Sequence, residues 1–407
     1  MRIGMLVDMY KPHISGITNY VALNKRWLEQ RGHKVFVFTF GDLDYEDDEL
    51  YVIRSPGLPL NVNDTGFHLS FRYSPPAARK LQTMDVVHVH HAYLSAPLAL
   101  RYCRPAGIPI VFTNHTRLDL YLEHYLPAVV PDGLGETFLR AYLPTLCQQC
   151  QLVIAPSAGV AEVMRALGVT SAIRVIPNGV DLAPFGDPRP LTRAAAGLPE
   201  TGVVLMYVGR FSPEKNLPFL MRAFFGVAAA RPDVVLALVG GGPDLETLRE
   251  LADHSGFKER VYFLGKVAYD LIPAYLRLAD VFVTASETEV HPFSLIEALA
   301  SGVPALGIAS PGVGDTIVDG VNGLLSTPDI AAFTAKLMRL VMDPELRRPL
   351  AAAARVSAAQ YDIERTGQTV LEEYLRLAAE RQKHMTGWAR LRQTVQRWLA
   401  PPAGEGE

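Results

Sequence analysis

Short apolar runs alternate with amphipathic stretches along most of the chain. Ile3–Val7 comes first, then a loop and a helical pattern around Asn19–Arg31, then a second apolar run at Val35–Phe40. Val86–Val89, Ile110–Thr113 and Leu152–Ala155 continue the series, and RVIPNGVD at Arg174–Asp181 reads as a strand ending in a turn. Runs this short and this apolar are buried on both faces, and the helical stretches between them serve as crossovers. The pattern predicts an α/β protein with a parallel, doubly wound sheet. Ala183–Pro190, rich in Pro and Gly, interrupts it and marks a domain boundary. The alternation then restarts with Val203–Val208, Val234–Val239, Val261–Leu264, Val281–Thr284 and Pro304–Gly307. Two such series joined by a hinge predict two Rossmann-like domains facing each other across a cleft. The chain closes with a long amphipathic helix over Ile363–Arg381.

Composition narrows this picture. A length of 407 residues suits two domains, and 49% hydrophobic with 20% charged residues describes a globular chain. A net charge of −3 gives no global reason to expect a nucleic-acid partner. The three cysteines, Cys103, Cys147 and Cys150, form no disulfide framework and fit a reducing cytoplasm. Cys147 and Cys150 have the spacing of half a zinc site, but nothing completes it, so they read as buried helical thiols. The start, MRIGMLVDMYKP, reads as a first strand and not as a signal peptide. No apolar run is long enough to span a bilayer, which leaves a soluble chain or one lying on a membrane surface. Residues 381–399 carry Arg381, Lys383, Arg390, Arg392 and Arg397 without an acid, with Trp388, Leu391, Val395 and Trp398 at helical spacing opposite most of them. That suits an interfacial helix on an anionic membrane, or a helix that packs its tryptophans onto the protein. Pro401–Glu407 is expected to be a disordered tail.

The candidate chemistry lies at strand ends. Ser286–Gly302, SETEVHPFSLIEALASG, turns from a strand into a helix and carries Glu289 and Glu297 with seven residues between them. Carboxylates accept from vicinal hydroxyls, and a loop opening a helix offers amides and a positive end to an anion. Arg210 and Lys215 follow another strand and can neutralise a diphosphate leaving group without a metal. Gly240, Gly241 and Gly242 permit close backbone approach to a nucleotide, although their spacing is not that of a dinucleotide fingerprint. Lys266 and Val267 offer backbone groups to a base edge. Gly16 lets a ligand approach the start of the first helix, and His115 is expected to point into the cleft. His88, His90 and His91 cluster at a strand end without an evident partner to complete a zinc site. Asp42 and Asp44 resemble a metal-binding acidic pair, but their place in an acidic loop favours a chance match.

Taken in order, Gly16, His115, IPNGVD, Gly209-Arg210 with Lys215-Asn216, GGGP, and Glu289 with Glu297 followed by ASGVP resemble the retaining glycosyltransferases of family 4, with the GT-B fold. The resemblance runs across nearly the whole chain. It implies residues 1–182 as an acceptor-binding domain and 183–365 as a nucleotide-sugar domain, with helices in 366–400 crossing back to the first. It implies Arg210 and Lys215 on the diphosphate, Glu297 on the ribose and Glu289 beside the donor sugar. His115 would sit near the sugar's C6 hydroxyl, Gly16 near the phosphates or acceptor, and Lys266 and Val267 at the base. The resemblance further implies transfer with retention by front-side attack, a diphosphate oxygen helping to take the acceptor's proton, with no essential metal. The stretch HTRLDLYLEHYLP, His115–Pro127, resembles the diacylglycerol glucosyltransferases within that family. It suggests UDP-glucose as donor, a glycerolipid acceptor at the membrane surface, and Tyr121 and Tyr125 on the acceptor side.

His291-Pro292-Phe293 departs from the family pattern. Pro292 has no N–H, so neighbouring amides at Phe293, Ser294 and Leu295 must meet the donor, and His291 becomes a candidate for a donor hydroxyl. The alternatives are a mannosyl- or other hexosyltransferase acting on a phosphoinositide, a soluble sugar or an envelope glycan. More distant ones are a nucleotide-sugar epimerase and a non-catalytic nucleotide-sugar-binding protein.

Overall fold

The computed structural model describes residues 1–13, 15–60, 67–120, 134–187, 189–385, 387 and 394–395. Among these, a seven-stranded parallel sheet runs, in spatial order, Val52–Ser55, Lys34–Phe40, Arg2–Leu6, Val86–Val89, Ile110–Thr113, Leu152–Ala155, Ile173–Val175. A six-stranded parallel sheet runs Val261–Gly265, Val234–Gly241, Val203–Arg210, Val281–Thr284, Ala305–Ile308, Gly323–Ser326. In each, the first strand of the series sits inside, and the strand order reverses beside it. The expected doubly wound pair is therefore present.

Alternation of side chains explains the layering. In Lys34–Phe40, Phe36, Phe38 and Phe40 enter one apolar layer while Val35 and Val37 enter the other. The second sheet divides in the same way, Leu205 on one face and Val204 and Met206 on the other. Strands buried on both faces read as apolar runs, so the interior strands are found where the sequence pattern puts them.

The edges differ from expectation. Val52–Ser55, Gly323–Ser326 and an antiparallel hairpin of Leu58–Leu60 with Phe67–Leu69 carry no comparable apolar run: each is short, and Val52–Ser55 and the hairpin are only partly covered. The acidic segment before them proves to be a clamp. Lys11 pairs with Asp48 at 2.9 Å, Arg54 with Asp47 at 2.7 Å, and His13 faces Asp42 at 3.2 Å, which ties the loop before Gly16 to this segment. Asp42 also lies 3.9 Å from the Arg54 guanidinium.

The chain passes between the two sheets at adjacent points. Val180 donates to Tyr361 O at 2.8 Å, and Ile363 donates back to Val180 O at 2.9 Å. The terminal helix, Ile363–His384, then lies on the first sheet. Its Val370, Leu371, Tyr374 and Leu377 join Tyr20, Val21, Trp27 and Leu28 in one apolar layer. Arg381 corrects an expectation: it donates to the carbonyls of Met84, Asp85 and Ala106 and so docks on the protein. Trp388, Leu391 and Trp398 lie outside the described residues. Among those described, no helix is long and apolar enough to cross a membrane.

Gly367 seats this helix. A Cβ there would stand 2.9 Å from Trp27 Cδ2 and 3.0 Å from its Cε3. Gly367→Val should therefore lower stability by about 2 kcal/mol or more, because overpacking against a buried ring forces both groups to move. Urea unfolding of the full chain measures this, and an unchanged midpoint would contradict the seating on Trp27.

Candidate active site

A doubly wound sheet opens a crevice where the strand order reverses, beyond the carboxyl ends of the two strands that flank the reversal. In the second sheet these strands are Val203–Arg210 and Val281–Thr284. The first delivers Arg210 and the turn Pro213–Lys215; the second delivers the loop carrying Glu289 and the helix Phe293–Ala300 with Glu297. The topology alone thus gathers the four charged residues singled out in the sequence.

Hydrogen bonds fix the details. The hydroxyls of Ser286 and Thr288 donate to Glu214 O at 3.1 and 3.4 Å, holding the lysine turn against the glutamate loop. Lys215 Nζ then meets Glu289 Oε1 at 2.6 Å. Burial opposes the ammonium charge, but Glu289 and then Glu214 more than offset it, so the pKa of Lys215 is raised above its ordinary value. Arg210 is exposed at the strand end, its charge acting on Lys215. Gly240 and Gly241 end the adjacent strand. A Cβ on Gly241 would lie 3.3 Å from Lys266 Cε, so these glycines and Lys266 form one wall, with Val267 packed beneath.

Glu297 is buried and accepts from the Tyr269 hydroxyl at 2.8 Å. Burial pushes its carboxyl up to about 7, against a smaller opposing effect of the Tyr269 hydrogen bond. Burial and Glu297 together raise the Tyr269 phenol. Sequence reasoning missed Tyr269; its only signal was an aromatic residue just past Lys266 and Val267 in a loop after a strand.

Helix Phe293–Ala300 begins at Pro292, whose carbonyl accepts the first intrahelical bond from Ile296 at 3.2 Å. The amides of Phe293, Ser294 and Leu295 precede that bond, which leaves a helix start suited to an anion. Leu295 offers only its amide, since its side chain is wholly buried in the apolar layer. His291 is a correction. Its ring packs against Tyr361 at 4.8 Å between centroids, a contact the sequence did not suggest, and among the described residues its buried Nδ1 has no hydrogen-bond partner. Burial lowers its pKa to about 4, with Asp315 opposing.

The first half contributes from the corresponding strand ends. Gly16 opens the helix Gly16–Gln30, capped by Ser15, and a Cβ there would approach the Phe293 ring at 3.6 Å. Phe293 packs on the layer containing Tyr20, whose ring lies 4.7 Å from that of His115. Val290 enters the first half's other layer. Gly16 and Phe293 thus meet across the cleft, and the Glu289 loop rests on the first half through Val290. His115 shares a hydrogen bond with His90 at 3.1 Å, and burial, then His88 and His91, hold it well below the usual histidine range.

His88 serves the fold: its ring nitrogens meet the hydroxyls of Tyr374 and Thr113 at 2.5 and 2.6 Å. Among the described residues, no group of three or more His, Cys, Asp or Glu could hold a metal ion. Cys103 and Cys147 are buried and Cys150 half-buried, with burial pushing the last two thiols up to about 12. Tyr121 and Tyr125 lie outside the described residues.

The raised carboxyl of Glu297 has a thermodynamic consequence. Its contribution to stability is full below the ordinary carboxylate range and is lost as pH rises through about 7. Glu297→Gln does not titrate. Its stability relative to the wild type should therefore improve between pH 4.5 and 8.5, on the order of 3 kcal/mol at ~1.4 kcal/mol per pKa unit. Parallel stability–pH profiles from chemical unfolding would contradict the shift.

Comparison with known proteins agrees with this geometry. Residues 14–184 match the family described as Glycosyltransferase Family 4, and residues 188–357 match Glycosyl transferases group 1. The alpha-monoglucosyldiacylglycerol synthase of Streptococcus pneumoniae is 30% identical over 390 residues, covering 92% of this chain and 86% of that protein. The protein of the same name from Acholeplasma laidlawii is 27% identical, with 95% and 99% covered. Among solved structures, Anabaena HepE in complex with UDP and glucose superposes with a TM-score of 0.72 at 22% identity, covering 92% of this chain and 99% of that one. Matched along both halves and against relatives of nearly its own length, this chain belongs to the family 4 glycosyltransferases and has their GT-B fold.

Proposed function

We propose that the protein is a retaining hexosyltransferase that moves glucose from UDP-glucose to a hydroxyl of a membrane glycerolipid such as diacylglycerol. The observation that carries this reading is the Lys215–Glu289 pair at the strand-order reversal. A cation for a leaving diphosphate and a carboxylate for sugar hydroxyls stand side by side there. The relatives named for monoglucosyldiacylglycerol synthesis support glucose and the lipid, and the neighbour solved with UDP and glucose supports the donor class.

On this reading the diphosphate takes Lys215 from Glu289, with Arg210 and the amides of Phe293, Ser294 and Leu295 around it. Glu289, released, accepts from the sugar ring. Glu297 exchanges the Tyr269 hydroxyl for the ribose diol. Gly240, Gly241, Lys266 and Val267 line the nucleoside, and neutral His115 bonds the sugar's outer hydroxyl. Gly16 closes over the phosphates. The bond from the sugar's C1 to the diphosphate oxygen breaks as the acceptor oxygen bonds C1 on the same face, and a diphosphate oxygen takes the acceptor's proton. The two cations and the helix start stabilise the charge that develops on the leaving group.

Residues 1–182 hold the acceptor, with Tyr121 and Tyr125 on that side; residues 183–365 hold the donor, and the helix Ile363–His384 returns to the first half. The location is the cytoplasmic face of a membrane, held peripherally.

Enzyme incubated with radiolabelled UDP-glucose and diacylglycerol vesicles should yield labelled glycolipid. Transfer to a soluble acceptor alone would overturn the lipid acceptor, and preference for a GDP-sugar in a donor panel would overturn the donor. Lys215→Ala should lower kcat roughly 10²-fold or more in a variant that stays folded. Near-normal turnover would remove Lys215 from the proposed role.

A further inference from the structure

Asp315 lies outside the donor loop, on the short helix Val313–Thr316 beyond the strand Ala305–Ile308. Its Oδ2 accepts from the Gly159 amide at 2.8 Å and from Gly312 N at 3.3 Å. Gly159 belongs to the first half, near the start of the helix Ala158–Ala166. No intrahelical acceptor exists for an amide in that first turn, so the carboxylate is its partner across the two halves. The approach is tight: a Cβ on Gly159 would stand 2.9 Å from Asp315 Oδ2 and 3.1 Å from Pro311 Cα.

The same segment lies directly against the donor loop. Gly312, at φ +83°, leaves no room for a Cβ, which would come within 2.5 Å of Glu289 O and 2.7 Å of Val290 C. Ser310 Oγ donates to Ser286 O at 3.4 Å. The Tyr361 hydroxyl donates to Asp315 O at 3.3 Å, and the Tyr361 ring carries His291. Val290 is buried in the first half's apolar layer. One side of the Glu289 loop therefore rests on the first half, and its other side on the segment that Asp315 ties to that half.

We propose that Asp315 is a positioning residue: a latch whose bond to Gly159 couples closure of the two halves to the placement of Glu289. This rests on the donor-site reading given above. When the halves part, the carboxylate returns to water, so the latch biases an equilibrium and does not lock it. Glu289 is then correctly placed only in the closed population.

The test uses the full-length protein with Asp315→Asn, Asp315→Ala and Gly159→Ala. Hydrogen exchange at the Gly159 amide, with and without UDP, reads the latch directly. Asp315→Ala should speed that exchange by about 10-fold and lower kcat by a similar factor, within the 5–150-fold span of ordinary coupling energies. UDP affinity should change much less, because the groups proposed to hold UDP, Gly16 apart, sit on the second half. Gly159→Ala, whose Cβ would crowd the carboxylate at 2.9 Å while leaving it charged, should lower kcat in the same way, and Asp315→Asn, which keeps an acceptor oxygen, should fall between. Unchanged exchange in Asp315→Ala, or wild-type kcat in both Asp315→Ala and Gly159→Ala, overturns the latch. Loss of UDP binding in step with kcat also overturns it, since the defect would then lie in the donor site. If the wild type itself neither binds UDP nor transfers sugar while the exchange difference stands, the donor-site reading fails and the latch holds as a contact between halves.

Discussion

A parallel sheet has its crevice at one end only, so two such sheets can share a site only when the chain turns those ends toward each other. The double crossing at Val180 and Ile363 meets that requirement. Two strands of chain, hydrogen-bonded to each other, define an axis where a single linker would leave a swivel. The terminal helix then fixes the returning chain to the first sheet through Tyr374, Leu371 and Trp27. Gly16 can reach Phe293, and Val290 can enter the opposite apolar layer, because of that geometry.

Inside this frame the cleft neutralises its own charges. Lys215 is held charged by Glu289, since an ammonium moved out of water needs a partner. On the proposed reading a diphosphate is the stronger partner, and the exchange leaves neither charge stranded: the lysine keeps an anion and the glutamate gains sugar hydroxyls. Glu297 is balanced differently. With one phenol donor and deep burial, its carboxyl stands near neutrality, at about 7. On the proposed reading a ribose diol brings two donors in place of one, which favours the ionised form. The two glutamates look alike in the sequence and differ in the structure by the cation that only one of them meets.

Much of this was legible in the chain and some was not, for definite reasons. Interior strands such as Val281–Thr284 were readable because both faces are buried; edge strands such as Val52–Ser55 carry a charged residue and little apolar signal. Arg210, Lys215, Glu289 and Glu297 were legible as strand-end residues, since strand order alone sends them to one crevice. Their pairing was not, because it depends on Ser286 and Thr288 binding the Glu214 carbonyl, a contact of two turns far apart in sequence. Tyr269 was hidden for the same reason. Arg381 was misread as part of a basic face, because charge periodicity cannot tell solvent from three backbone carbonyls. His115 was read as a cleft histidine; it sits in a stack with His90 and Tyr20, and burial, then His88 and His91, hold it well below the usual histidine range.

The departure at His291 and Pro292 takes on a different meaning in three dimensions. Read as a donor contact, the pair would weaken sugar recognition, since proline gives up an amide. In the structure Pro292 supplies the carbonyl that starts the helix, and three amides after it still precede the first intrahelical bond. The missing N–H therefore costs the anion site one position at most. His291 faces Tyr361, the residue that also bonds the Asp315 backbone. The substitution thus falls on the side of the loop turned toward the hinge and the closing contact, while Glu289 keeps the side turned toward Lys215. On the proposed reading, selectivity for the sugar rests on Glu289 and His115, while the His-Pro step lies beside Tyr361 and, through it, the Asp315 segment.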